Sequence, residues 1–326
     1  MILVLLLLAA APVVPAAPVA PAVLPLQAEA ERALPPETAG ALMEIRSGRL
    51  LALVGPGQLA RTGHAPGSVM KLVAALAALR ADVGGREMEC RGSDVHRGTK
   101  RYCWFHEGHG RIGLRQAVAT SCDVYFYRLA RLLGPGRLLE TARDLGLGTA
   151  TGSDVTGEVP GRVPAALSDD EVPDFAVGRI PGLTVTGLQL LSLVAAIGNG
   201  GTLPIPHLRG SPAPRGRLSA EHALAEVGRA MREAVLAGTG AAAGDLPMAG
   251  KTGTAPRAAA GPAPEGRSAA RDPLSEDTLA WFAGYAPDEE PEVAVVAFVP
   301  EGLGSRDAAA AAADLLRVYL GRRPGP

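Results

Sequence analysis

The sequence predicts an α/β (α+β) domain in which one antiparallel sheet of about five strands is covered by helices on both faces. Strand patterns fall at both ends of the chain and a helix-rich stretch lies between them. The chain has 326 residues, 47% of them hydrophobic, which is enough to bury a large core. No internal repeat interrupts this plan.

Residues 1–30 carry no charge before Glu29; the run Met1–Ala11 is apolar, and Pro12, Pro15, Pro18, Pro21 and Pro25 then break it. A spanning helix needs about 20 apolar residues, so 1–30 reads as a signal peptide or an apolar membrane anchor, with Ala28-Glu29-Ala30 as a small-x-small cleavage site. Residues 31–39 read as a linker and 40–326 as the folded domain.

Ala41–Arg46 and Leu50–Val54, split by Ser47-Gly48, form a hairpin pattern. Pro66-Gly67 precedes a helix from Ser68 to about Arg80, with apolar positions Val69, Val73, Leu76 and Leu79. Met88–Gly110 is irregular. Leu114–Ala119 and Val124–Leu133 are helices separated by Ser121-Cys122-Asp123. Thr184–Ile197 is a helix stopped by Asn199-Gly200-Gly201, and Ala220–Ala237 is another, ended by Gly238 and Gly240. Strands follow at Met248–Thr254, Leu279–Ala286 and Val293–Val299, then an Ala-rich helix at Ala308–Leu320. Pro256–Asp277 is a long Ala, Pro, Gly and Arg segment between strands, expected to be mobile.

The formal charge of −1 gives no footing for a nucleic-acid partner, which calls for a basic surface. Of 32 basic residues only Lys71, Lys100 and Lys251 are lysine. Lys can work near neutral pH as an uncharged amine when buried and Arg cannot, so each retained Lys is a candidate for chemistry.

Two of those lysines fall in three ordered motifs: Ser68-Val69-Met70-Lys71, Ser121-Cys122-Asp123 and Lys251-Thr252-Gly253-Thr254. Singly each is weak, since S-x-x-K also describes a helix start and Lys-Thr-Gly an ordinary strand end. Together they describe acyl transfer. Ser68 at a helix N-terminus sits at the positive end of the dipole, and Lys71 at i+3 shares its face and can reach the hydroxyl as a neutral base. Burial and a second cation, Lys251, both disfavour a charged lysine there. Ser121 can relay a proton between the lysines and a leaving amine, with Asp123 beside it. Lys251, Thr252, Gly253 and Thr254 on a strand edge can bind a substrate carboxylate, and the backbone N–H groups of Ser68 and Thr254 would form an oxyanion hole. There is no G-x-S-x-G elbow; His64, His207 and His222 read as surface or cap residues.

The three motifs resemble those of the penicillin-binding protein transpeptidase domain, which shares its fold with serine β-lactamases. Arg101-Tyr102-Cys103-Trp104 through Gly108-His109-Gly110, Ser121–Tyr127, Gly198–Gly201, Ala249–Ala255 and Ala280–Pro287 look like the elongation-type class B members. The resemblance covers about residues 40–320. It implies a serine-type D-Ala-D-Ala transpeptidase that cross-links peptidoglycan stem peptides through acyl-Ser68 and is acylated by β-lactams. It also implies a place on the periplasmic side of the cytoplasmic membrane, exported or N-terminally anchored, with a cell-wall synthesis complex as a possible partner. Fewer than 40 residues precede the first strand, so the sequence predicts no N-terminal pedestal like that of those relatives. Asp123 stands where many members carry Asn, a mark of the elongation group. Rival readings are a D,D-carboxypeptidase, a class D-like β-lactamase with a carboxylated Lys71, and a non-catalytic wall-binding or β-lactam-sensing domain. The class A lactamase arrangement is missing, because Asn199 is the only Asn and closes a helix.

All three cysteines, Cys90, Cys103 and Cys122, cluster in or just after the irregular segment with His109, a set suited to a structural Zn2+ ion. Some elongation-type relatives bind zinc at positions matching Cys103, His109 and Cys122, and His96 and His106 are nearby substitutes for His109. A metal there would fix the loop that presents Ser121. A Cys90–Cys103 disulfide with a buried Cys122 thiol, or three inert core thiols, are the alternatives.

Overall fold

The computed structural model describes residues 24–257 and 278–322. The expected leader up to residue 23 and the segment 258–277 lie outside the described residues. In chain order the elements are α1 (Gln27–Ala33), β1 (Ala39–Glu44), β2 (Leu50–Val54), α2 (Pro56–Leu59), α3 (Met70–Arg80), β3 (Met88–Cys90), β4 (Ser93–His96), β5 (Thr99–Tyr102) and β6 (Gly110–Ile112). Then come α4 (Leu114–Ala119), α5 (Asp123–Asp144), α6 (Val172–Ala176), α7 (Gly187–Gly198), β7 (Thr202–Leu203), β8 (Gly216–Arg217), α8 (Glu221–Ala237), β9 (Ala249–Pro256), β10 (Thr278–Ala286), β11 (Val293–Val299) and α9 (Ala309–Leu320).

The strands of both chain ends join in one five-stranded sheet of order β2-β1-β11-β10-β9, antiparallel throughout. Its central strand, β11, is a β-branched run buried on both faces. Side chains alternate between two cores, as a period of two requires. Leu42, Phe282, Val293, Val295 and Ala297 face α9 and α1, whereas Met43, Trp281, Ala294, Val296 and Phe298 face the larger layer that includes α3, α5 and α7. The predicted fold class and the strand and helix order are therefore those of the structure.

Buried residues line every side of α3, from Met70 to Ala78. A helix apolar all round belongs in the middle of a domain, and Lys71 in its first turn is taken into that interior.

Local differences have physical causes. Residues 27–33, expected to straddle the leader and linker, form α1, because Leu26, Ala30 and Leu34 repeat every four residues and bury against the sheet. The helix after Asp123 breaks at Gly134 (φ 72°, ψ 170°), and Pro135 opens a second half ending at Asp144. The irregular segment folds as two small ribbons, β3 with β6 and β4 with β5. His64 and His207, expected at the surface or in caps, pack inside: His64 stacks on Phe298 at 4.3 Å between ring centroids, and His207 is 2% exposed.

The outer edge of β2 is closed by α1. Gln27 Nε2 donates to Leu53 O (3.0 Å), Leu53 N donates back to Gln27 Oε1 (2.8 Å), and Leu26 N donates to Leu51 O (2.9 Å). A side-chain amide thus imitates a strand's backbone. Gln27→Ala unpairs both groups of Leu53 and is expected to lower unfolding free energy by about 1 kcal/mol in urea titration.

Candidate active site

Ser68 lies in a single 3-10 turn, Gly67–Val69, that feeds directly into α3. Gly67 has φ 53°, and a Cβ there would meet Thr254 O at 2.5 Å. On its other side a Cβ on Gly178 (φ 73°) would come within 2.2 Å of Gly67 O. The serine turn is therefore clamped backbone to backbone between β9 and the loop after α6, where only glycine fits.

Ser121 is the hinge between α4 and α5. Its φ of 55° is left-handed for a residue with a side chain, a conformation that costs about 1–2 kcal/mol. The sharp turn aims the Ser121 hydroxyl inward and leaves Cys122 to cap α5, its Sγ accepting from Tyr125 N at 3.4 Å. The cost is met by bonds on every side. Trp104 Nε1 donates to Thr120 O (3.0 Å) and Ser121 O (3.1 Å), and Lys71 Nζ donates to Ser121 O at 2.6 Å.

Ser121 Oγ joins the two lysines. Lys71 Nζ is 3.0 Å from it and Lys251 Nζ 2.9 Å, and both lysine side chains have no solvent exposure. The third partner of Lys71 is Asp123 Oδ1 at 2.7 Å. The Lys71 ammonium thus turns to Ser121 and Asp123 rather than to Ser68 Oγ, the partner expected from the i+3 spacing. A carboxylate and a carbonyl attract it more strongly than a neutral hydroxyl.

Asp123 is wholly buried, and its Oδ2 takes Trp104 N at 3.0 Å and Arg179 Nη2 at 3.3 Å. Burial works to raise its carboxyl, but the charges of Arg179 and Lys71 and the bonds from Lys71 and Trp104 outweigh it and hold it below the usual carboxylate range. Lys251 has no carboxylate within ion-pair distance among the described residues, and the charge of Asp123 offers it only the smallest of the three influences acting on it. Burial first, and then the charge of Lys71, push it well below the usual lysine range.

Above these groups runs a cleft of about 610 Å³, bordered by Ser68, Ser121, Thr252, Thr254, Trp104 and Arg179 among others. One wall is β9, whose far side has no strand neighbour among the described residues. Thr252 Oγ1 lies 2.7 Å from Thr239 Oγ1, and Thr254 Oγ1 accepts from Gly304 N at 3.0 Å, keeping its own hydrogen to donate. Gly253 has no room for a Cβ, which would meet Pro66 O at 2.6 Å. Ser68, Ser121, Thr252 and Thr254 thus border one cleft, and Lys71, Asp123 and Lys251 are buried beneath it.

Cys90, Cys103, His109 and Cys122 also converge: their ligand atoms all lie within 4.8 Å of one another, and the three thiols are free. His109 Nδ1 is 3.5 Å from Cys103 Sγ and 3.7 Å from Cys90 Sγ, its ring packed beside Trp104 and Phe105. Hydrogen bonding from the Cys122 thiol, ahead of His109, brings Cys103 down to about 4 and Cys90 down to about 6 against the opposing pull of burial. The donor set, three sulfurs and one imidazole nitrogen, fits a closed tetrahedral zinc ion.

Arg179, Gly178 and Thr239 were not singled out from the sequence. Arg179 is one of 29 arginines and carries no local pattern. Gly178 sits among 41 glycines. Trp104, one of two tryptophans, has rarity as its signal.

Residues 38–317 match the family model described as the penicillin binding protein transpeptidase domain. Stage V sporulation protein D of Bacillus subtilis is 27% identical over 261 residues, which is 74% of this chain and 39% of that protein. The peptidoglycan D,D-transpeptidase MrdA of Acinetobacter baumannii is 29% identical over 244 residues, 67% of this chain and 36% of that protein. The chain therefore spans well under half the length of these relatives. The crystal structure of Pseudomonas aeruginosa PBP2 superposes with a TM-score of 0.78 at 25% identity, covering 90% of this chain and 74% of that one.

A Cβ on Gly178 would force the Ser68 turn away from the lysines. Gly178→Ala is expected to slow covalent labelling of Ser68 by a fluorescent penicillin by about tenfold or more while circular dichroism stays that of the parent.

Proposed function

Because the chain belongs to the penicillin-binding protein transpeptidase family, we propose that it is a serine D-Ala-D-Ala transpeptidase that cross-links peptidoglycan stem peptides through acyl-Ser68. The observation that carries this is the Ser121 hydroxyl held 3.0 Å from Lys71 Nζ and 2.9 Å from Lys251 Nζ.

With Lys251 neutral, the Ser121 hydroxyl donates to the Lys251 nitrogen while Lys71 donates to the Ser121 oxygen. A concerted shift moves one proton from Lys71 through Ser121 to Lys251. Lys71 becomes the neutral amine that takes the Ser68 hydroxyl proton, and Lys251 becomes the cation that holds the substrate's terminal carboxylate beside Thr252 and Thr254. Ser68 Oγ bonds to the carbonyl carbon of the penultimate D-Ala, and the N–H groups of Ser68 and Thr254 receive the oxyanion. The carbon–nitrogen bond breaks and the terminal D-Ala amine leaves with a proton passed through Ser121. An acceptor amine then bonds to the acyl carbon, the ester bond to Ser68 Oγ breaks, and the proton the amine loses returns through Lys71 to Ser68 Oγ. A β-lactam follows the first half and stays attached. Asp123, held by Arg179 and Trp104 N, keeps Lys71 aimed at Ser121. The free edge of β9 suits an extended peptide added as a further strand.

Cys90, Cys103, Cys122 and His109 would hold a Zn2+ ion, which would crosslink the loop bearing Trp104 to the turn bearing Ser121 and take no part in the reaction. A periplasmic location, exported or anchored, and work within a cell-wall synthesis complex belong to the same proposal. No helix among the described residues is long and apolar enough to cross a membrane.

The direct test is time-resolved labelling by a fluorescent penicillin beside Ser68→Ala. Stable label on the parent and none on the variant is expected. Label lost within seconds would mean a β-lactamase, and none on folded parent would end the acyl-enzyme reading. Release of free D-Ala without cross-linked product would leave a carboxypeptidase.

Two further outcomes are expected. As pH falls, Lys251 takes up a proton and can no longer accept one from Ser121, so the acylation rate constant should drop on the acid side. Lys251→Arg, charged at every pH, should acylate about a hundredfold more slowly or worse and lose that acid limb. Elemental analysis of untagged protein should give about one zinc per chain, and Cys103→Ser should lose the metal.

A further inference from the structure

A second cavity, of about 370 Å³, opens away from the cleft and shares no lining residue with it. It lies where the ends of α3 and α5 meet the β7–β8 ribbon, and four of its lining side chains are arginines: Arg80, Arg143, Arg215 and Arg217. Asp144 is the one acidic residue lining it.

The four arginines differ in what they already hold. Arg80 pairs with Asp144 at 2.7 Å and Arg217 with Glu221 at 3.1 Å. Arg143 and Arg215 have no carboxylate partner among the described residues. Arg143 Nη2 donates to the carbonyls of Pro164 (3.2 Å) and Ala165 (3.0 Å). Arg215 donates to Gly146 O at 3.4 Å and Thr149 Oγ1 at 2.5 Å. Arg215 is half-buried, and desolvation pulls its guanidinium below the usual arginine range with only a weak opposing pull from Glu158. Gly146 makes its seat: a Cβ there would lie 2.6 Å from Arg215 Nη1.

Arg143 is exposed and Arg215 half-buried, and each spends only some of its donors on neutral oxygens, so both have N–H groups left to meet an anion in the cavity. Arg also presents planar paired donors that match phosphate oxygens. We propose that this cavity binds a phosphate-bearing anion, with Arg143 and Arg215 as its principal ligands and Arg80 and Arg217 at its rim. The volume accommodates a diphosphate. A phosphorylated soluble compound and the headgroup of an anionic lipid would both satisfy the chemistry. The site is independent of the acyl-transfer reading.

Calorimetric titration of the full chain with pyrophosphate, at about 0.15 M salt, tests it. Saturable binding of about one anion per chain is expected, weakened about tenfold or more in the Arg143→Gln/Arg215→Gln variant. Arg217→Glu, at an exposed position, should weaken it as well. Penicillin labelling of Ser68 should be unchanged in both variants. Sedimentation with phosphatidylglycerol vesicles but not phosphatidylcholine vesicles, reversed by pyrophosphate, would identify the headgroup as the source. Pyrophosphate binding without vesicle binding would identify a soluble phosphate. No heat of binding in the parent, or binding equal in all three proteins, would overturn the proposal.

Discussion

Two lysines, one aspartate and one hydroxyl are shut away from water beneath the cleft, and the rest of the site is arranged to make that tolerable. Burying such charges costs several kcal/mol per ion unless each finds partners. Asp123 finds Lys71, Arg179 and the backbone of Trp104. Lys71 finds three oxygens, two of them on Ser121. Lys251 is left with the Ser121 hydroxyl and its neighbour's carbonyl, and burial, then the charge of Lys71, pull it well below the usual lysine range. The asymmetry between two chemically identical side chains comes from one carboxylate placed beside one of them.

That carboxylate is itself held from two directions. The Trp104 loop reaches it from the ribbon segment, which also supplies Cys90, Cys103 and His109, and Arg179 reaches it from the loop after α6. Gly178, next to Arg179, is the residue pressed against Gly67. The loop that brings Arg179 to Asp123 is therefore the same loop that seats the serine turn.

Much of this was legible in the residues. Period-two and period-four patterns gave the strands and helices because burial on one face leaves a trace in composition. The three motifs were visible because lysine is rare here, so two of three falling in motifs stood out. What local sequence does not encode is of another kind. Arg179 acts through its position after a tertiary loop closes, and nothing local distinguishes it from 28 other arginines. The Ser68–Lys71 contact was expected from helix geometry alone, and spacing along one helix cannot report a carboxylate arriving from another. α1 has little periodic signal, being seven residues beside a Pro-rich run, although Leu26, Ala30 and Leu34 do repeat.

The two ends of the sheet are treated differently. One outer strand, β2, has its backbone groups occupied by α1, with Gln27 standing in for a neighbouring chain. The other, β9, borders the cleft with its far side open. An unpaired strand edge invites any extended polypeptide, including another copy of the same protein. Closing the idle edge leaves β9, among the described residues, as the one edge of the five-stranded sheet where a further strand could add, and that edge lies beside the serine turn.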